Sequence, residues 1–76
     1  MGRIPSLKGE EVVRALEKAG FQVIRQRSSH ARLKHLDQRL VTVPVHPGHD
    51  LGRGILRKIL RDAKLTPEEF LSFLRV

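Results

Sequence analysis

The chain contains no cysteine, no tryptophan and no tyrosine, and only three phenylalanines among its 76 residues. Without cysteine there is no disulfide staple, no thiolate zinc site and no cysteine nucleophile. A reducing compartment such as the cytoplasm is therefore permitted. Scarce aromatics argue against a stacking platform of the kind that grips single-stranded bases. No apolar run approaches the ~20 residues needed to span a bilayer. The opening MGRIPSLKGEEVV lacks the apolar h-region of a secretory signal. A length of this order fits one domain over residues 1–76 with one modest core, expected to be cytoplasmic and without a membrane partner.

Acid is also scarce where it would matter most. Residues 21–61 hold nine Lys or Arg against only Asp37 and Asp50, a surplus of seven that equals the net charge of the whole chain. The flanks cancel: four basic and three acidic residues precede Phe21, two basic and three acidic follow Arg61. The segment RQRSSHARLKH concentrates this further, with Arg25, Arg27, Arg32, Lys34 and two histidines around a serine pair and no acid. A cationic middle of this kind fits a polyanionic partner, most naturally nucleic acid.

Periodicity organises the chain. Ser6 is an expected cap for a helix beginning near Lys8, with Glu10 and Glu11 at its positive dipole end. Val12, Val13, Leu16 and Ala19 form its apolar stripe, and Gly20 suits the left-handed residue that ends it. Three strands are predicted next, at 21–27, 30–35 and 39–45, joined by breaks at Ser28–Ser29 and Leu36–Asp37–Gln38. Pro44 cannot donate to a ladder, so the third strand is expected to lie at an edge or to end there. Beyond the loop HPGHDLGRG, Ile55, Leu56, Ile59, Leu60 and Ala63 trace a second helix, with Arg53, Arg57 and Arg61 along its solvated side. Thr66, Pro67 and Glu69 start a third, with Phe70, Phe73 and Leu74 closing the core. The fold class is α+β: αβββα plus a terminal helix, with the helices on one face of a three-stranded antiparallel sheet.

Alternation assigns the faces of that sheet. Ala31 and Leu33 point one way, and His30, Arg32 and Lys34 the other. Placing Ile24 inward turns Arg25 and Arg27 outward, since the opposite choice would bury two arginines. Val41, Val43 and Val45 supply the core from the third strand. One face is then apolar, and the other carries Arg25, Arg27, His30, Arg32 and Lys34.

From about Leu7 to Leu65 the chain resembles the HicA mRNA-interferase family of bacterial toxins, the YcfA-like proteins. The resemblance rests on the helix ending Gly20–Phe21, on Arg25–Gln26, and on Ser29–His30 where the family carries Gly-Ser-His. It continues through Val41–Thr42–Val43–Pro44 with His46, and the helix GILRKILRDAKL. Each motif is weak alone, and their order and spacing are together fairly specific. The resemblance implies a fold like a double-stranded RNA-binding domain, metal-independent cleavage of mRNA without a cofactor, and a HicB-type antitoxin that covers the active face. Ser28 replaces the family's glycine, which predicts a tighter turn, and Leu33 stands where an aromatic residue is common.

The chemistry is coherent with those residues. RNA supplies its own nucleophile, the 2′-hydroxyl, so cleavage requires removal of that proton, stabilisation of the phosphorane charge and protonation of the leaving 5′-oxygen. A histidine titrates near operating pH and suits either proton task; placed cations stabilise the developing charge. His30 is the candidate general acid or base. Arg25, Arg27, Ser29, Arg32, Lys34, Arg53 and Arg57 are the candidate substrate-binding residues, with Ser29 serving chiefly the turn. Taken alone, a histidine on a solvated strand is ordinarily just a surface residue; the family resemblance reverses that. His35 falls on the opposite face. His46 and His49 form an HxxH too poor in further ligands to be a metal site, and read mainly as loop residues, with contact to substrate or antitoxin a lesser alternative for His46. Two other functions fit the sequence. One is a non-catalytic RNA-binding module of similar fold, recognising duplex RNA by shape. The other is an antitoxin-binding component with decayed activity. Three strands separate the first two helices, so no helix-turn-helix is evident.

Overall fold

The computed structural model describes residues 4–75, so the ends of the single domain expected over 1–76, Met1–Arg3 and Val76, lie outside the described residues. The elements follow in the expected order: α1 (Gly9–Lys18), β1 (Phe21–Gln26), β2 (His30–His35), β3 (Leu40–Pro44), α2 (Arg53–Ala63) and α3 (Pro67–Leu74). All strands pair antiparallel in the order β1-β2-β3, so β2 is central and Pro44 ends an edge strand.

The helix boundaries have local causes. Lys8, not Ser6, occupies the N-cap of α1, and its backbone N–H donates to Glu11 Oε1 at 2.8 Å. Ser6 lies outside the helix because Leu7 is drawn into the core and its carbonyl accepts from Leu51 N–H at 2.7 Å. Gly20 ends the same helix with φ +104°, a conformation that only glycine adopts freely. Thr66 caps α3 as expected: its hydroxyl accepts from Glu69 N–H at 3.1 Å, and Glu69 Oε1 accepts from Thr66 N–H at 2.8 Å.

One core joins the two layers. Val12 and Leu16 of α1, Ala31 and Leu33 of β2, Val41 and Val43 of β3, Leu56 and Ile59 of α2, and Phe70 of α3 are all buried. Val45, Phe73 and Leu74 pack against it only partly, and Ile55 is exposed rather than buried. Leu56 and Ile59 take the inward helical positions, leaving Ile55 beside the solvated arginines.

The face assignment of β1 was right in outcome and wrong in means. Phe21 and Val23 point inward, and strict alternation would next bury Arg25. Instead the register shifts between Val23 and Arg25, so that Val23 opposes Leu33 while Arg25 opposes Arg32. Ile24 is the extra residue of this bulge and is 53% exposed, not part of the core. The bulge sends both arginines outward at the expense of exposing one isoleucine.

Candidate functional site

The first hairpin places the histidine. Arg27 N–H donates to His30 O at 2.8 Å, leaving Ser28 and Ser29 as a two-residue connection. Neither serine has positive φ, since Gln38 and Lys64 are the non-glycine residues with that conformation among those described. Ser28 therefore replaces glycine without backbone strain. Ser29 O accepts from Val45 N–H at 2.9 Å, tying the turn to the exit of β3. The Ser29 hydroxyl lies 3.0 Å from His30 Nδ1. With the ring proton on Nδ1, that nitrogen donates to Oγ and leaves Nε2 with a free lone pair. The same bond survives when Nε2 takes a proton, so Ser29 can hold the exposed ring through a protonation cycle.

Around His30 the outer sheet face is cationic. Arg25 and Arg32 stand directly opposite each other, Arg27 faces His30 across the hairpin, and Lys34 lies between Gln22 and Leu40. None of these four cations pairs with an acid among the described residues. Like charges directly opposite in a sheet are destabilising. A surface serving only solubility would mix signs here, whereas a polyanion would neutralise this face. His46 completes the neighbourhood: its ring is edge-on to His30 with centroids 6.1 Å apart, and His49 follows at 6.4 Å from His46. Among the described residues no three of His, Cys, Asp or Glu are grouped to hold a metal ion.

This arrangement can be set beside known proteins. The family model described as the HicA toxin of bacterial toxin–antitoxin systems matches residues 9–65, about three-quarters of the chain. The chain belongs to the HicA toxin family. No curated protein matches it. Members of the HicA family are known as mRNA interferases, and a toxin of such a system has an antitoxin as partner. Every candidate site residue of this HicA toxin lies inside the matched span. No helix among the described residues is long and apolar enough to cross a membrane.

Not all the cations of the toxin belong to one surface. Arg53 and Arg57 are exposed on α2, in the helical layer, where they line a groove with Ile4, Leu51, Leu56 and Leu60. No hydrogen bond, ion pair or ring contact joins either of them to His30. The neighbouring Lys58 pairs with Asp62 at 2.9 Å, so α2 carries an acid beside its arginines. His35 sits at the far end of β2, edge-on to Phe21 at 5.1 Å, and takes no part in the His30 cluster.

Two features of the toxin escaped sequence reasoning. Arg39 had been only one more member of the cationic surplus. It is instead structural: its Nε lies 2.9 Å from both oxygens of Asp37, its guanidinium stands 5.1 Å from the Phe21 ring, and Nη1 donates to the Ala63 carbonyl at the end of α2. The hydrogen bond from Arg39 is the main reason the Asp37 carboxyl is held below its ordinary pKa. The second is the pairing of His46 with His30, since sequence separation gave no sign that a loop histidine would meet a strand histidine.

Proposed function

We propose that this HicA toxin is an endoribonuclease that cleaves mRNA in the cytoplasm without a metal, with His30 transferring protons at the scissile linkage. Arg25, Arg27, Arg32 and Lys34 hold the phosphate backbone across the outer sheet face, and Ser29 orients the imidazole. Arg53 and Arg57 engage backbone away from that linkage. A HicB-type antitoxin neutralises the toxin by covering the His30 face.

One observation carries this reading: an exposed imidazole, bonded to Ser29 through one nitrogen, shares its sheet face with four cations that have no acidic partner among the described residues. The 2′-hydroxyl of RNA attacks the adjacent phosphorus while its proton leaves. The extra negative charge on phosphorus falls on the arginines, in a position where donors are already in place. The 5′-oxygen departs with a proton, giving a 2′,3′-cyclic phosphate and a 5′-hydroxyl. Removing a proton-transfer group of this kind lowers rates by about 10²–10⁴-fold.

Incubation of wild type and His30→Ala protein with single-stranded mRNA, chelator present, tests the proposal. Wild type should release fragments with cyclic phosphate ends, and His30→Ala should still bind but cleave at least about 10²-fold more slowly. Equal cleavage by both proteins would remove His30 from the chemistry. Shifted but uncut RNA with wild type would instead mark a non-catalytic RNA-binding module.

A further inference from the structure

We infer that His46 is the second proton-transfer residue of this site, so that His30 and His46 divide between them the two proton movements of RNA cleavage. This rests on the endoribonuclease reading above and extends it. The reaction demands two groups: a base takes the 2′-hydroxyl proton as the new P–O2′ bond forms, and an acid gives a proton to the 5′-oxygen as the P–O5′ bond breaks. One proton is accepted and one is donated, so the pair as a whole ends with its proton count unchanged. A single imidazole cannot serve both oxygens at once, because they leave and enter on opposite sides of one phosphorus. Each must lie within hydrogen-bond reach, about 2.6–3.2 Å, of its own nitrogen.

The two rings meet that demand. Their centroids are 6.1 Å apart with planes at 73°, close enough for one phosphodiester to contact both. The placement is built rather than incidental. Pro44 opposes His30 in the ladder, Val45 turns inward, and His46 therefore returns to the side of the sheet that carries His30. The carrying loop is fixed at both ends, by Val45 N–H on Ser29 O at 2.9 Å and by Leu51 N–H on Leu7 O at 2.7 Å. A further clasp joins Lys8 to Asp50, whose side chains approach to 3.5 Å. Both imidazoles are exposed, and no carboxylate forms an ion pair with either among the described residues. Fixing two such groups before the substrate arrives is what lowers the entropic part of the barrier.

The test uses an oligoribonucleotide containing one linkage that wild type cuts, made with either oxygen or sulfur at the bridging 5′ position. A thiolate departs without a proton, so the sulfur linkage removes the need for the acid but not for the base. On the oxygen substrate, His46→Ala and His46→Asn should each lose about 10²–10⁴-fold, as His30→Ala does. On the sulfur substrate, the variant missing the acid should recover to near the wild-type rate while the variant missing the base stays impaired. Circular dichroism of all variants should match wild type, since both side chains are solvent-facing. His46 variants cutting the oxygen substrate within about 3-fold of wild type, or recovery of neither histidine variant on sulfur, would overturn the inference. If His30→Ala is inactive while His46→Ala is normal, only this inference fails. If wild type cuts no linkage in the RNAs from which that substrate is chosen, the endoribonuclease reading fails with it.

Discussion

Gly9→Ala should destabilise this protein, although helix propensity alone argues the reverse. Gly9 is the first residue of α1 and is buried. Replacing glycine by alanine inside a helix ordinarily stabilises by roughly 0.5–1 kcal/mol. Here, however, an added Cβ would overlap the Pro44 carbonyl oxygen and lie 2.9 Å from both the Pro44 carbonyl carbon and Val45 Cα. All three obstacles are backbone, so no side-chain rotation relieves them. The start of α1 and the exit of β3 must separate, and overpacking of this sort costs about 1–3 kcal/mol and occasionally more. Sterics should win by about 1–2 kcal/mol, which in a domain of this size lowers Tm by roughly 4–16 °C. Activity should fall further than stability does. Pro44 pairs with His30 and Val45 bonds Ser29, so the displaced segment is the one that sets the histidine cluster. Thermal unfolding by circular dichroism and a cleavage assay well below Tm measure the two effects. A Gly9→Ala protein with equal or higher Tm would refute the reasoning, because it would mean the two backbones are not in contact.

Lys64 ends α2 in the left-handed region, at φ 57° and ψ 41°; Lys64→Gly should therefore raise stability by about 1 kcal/mol, read as a shift in the urea midpoint at unchanged slope. Arg32→Gln should weaken RNA binding by flattening the plot of log K against log salt by about 0.7, the share of one phosphate contact on a single strand. A slope identical to wild type would take Arg32 off the phosphate backbone. Asp37 is held below its ordinary value of 3.8 by Arg39, so its contribution to stability is present above that value and lost as pH falls through the lower folded one. Urea midpoints of wild type and Asp37→Asn should accordingly converge below about pH 4; a gap that stays constant with pH would disprove the linkage.

Much of this was readable before any coordinates. Element order, the capping box at Thr66, the glycine stop at Gly20 and the edge position of Pro44 follow from local chemistry acting over a few residues. The cationic outer face was readable too, because burying arginine is so unfavourable that β1 had to turn Arg25 and Arg27 outward. How the strand achieved this was not readable: alternation cannot reveal a bulge, and Ile24 looked like core. Lys8 displaced Ser6 as the cap because Leu7 is pulled into the core by residues far along the chain.

By itself, the sequence determined the α+β order of elements and the sign of charge on the exposed sheet face. Those rest on side-chain periodicity, turn propensities and desolvation, which operate locally. Only the tertiary structure decided which cations remain unpaired, since Arg39 and Arg32 are chemically alike and differ in whether Asp37 and Phe21 are within reach. It alone brought His46 to His30, through a strand pairing that closes 16 residues of chain. Contacts across that distance depend on register and on backbones as close as Gly9 and Pro44, and no short window of residues encodes them.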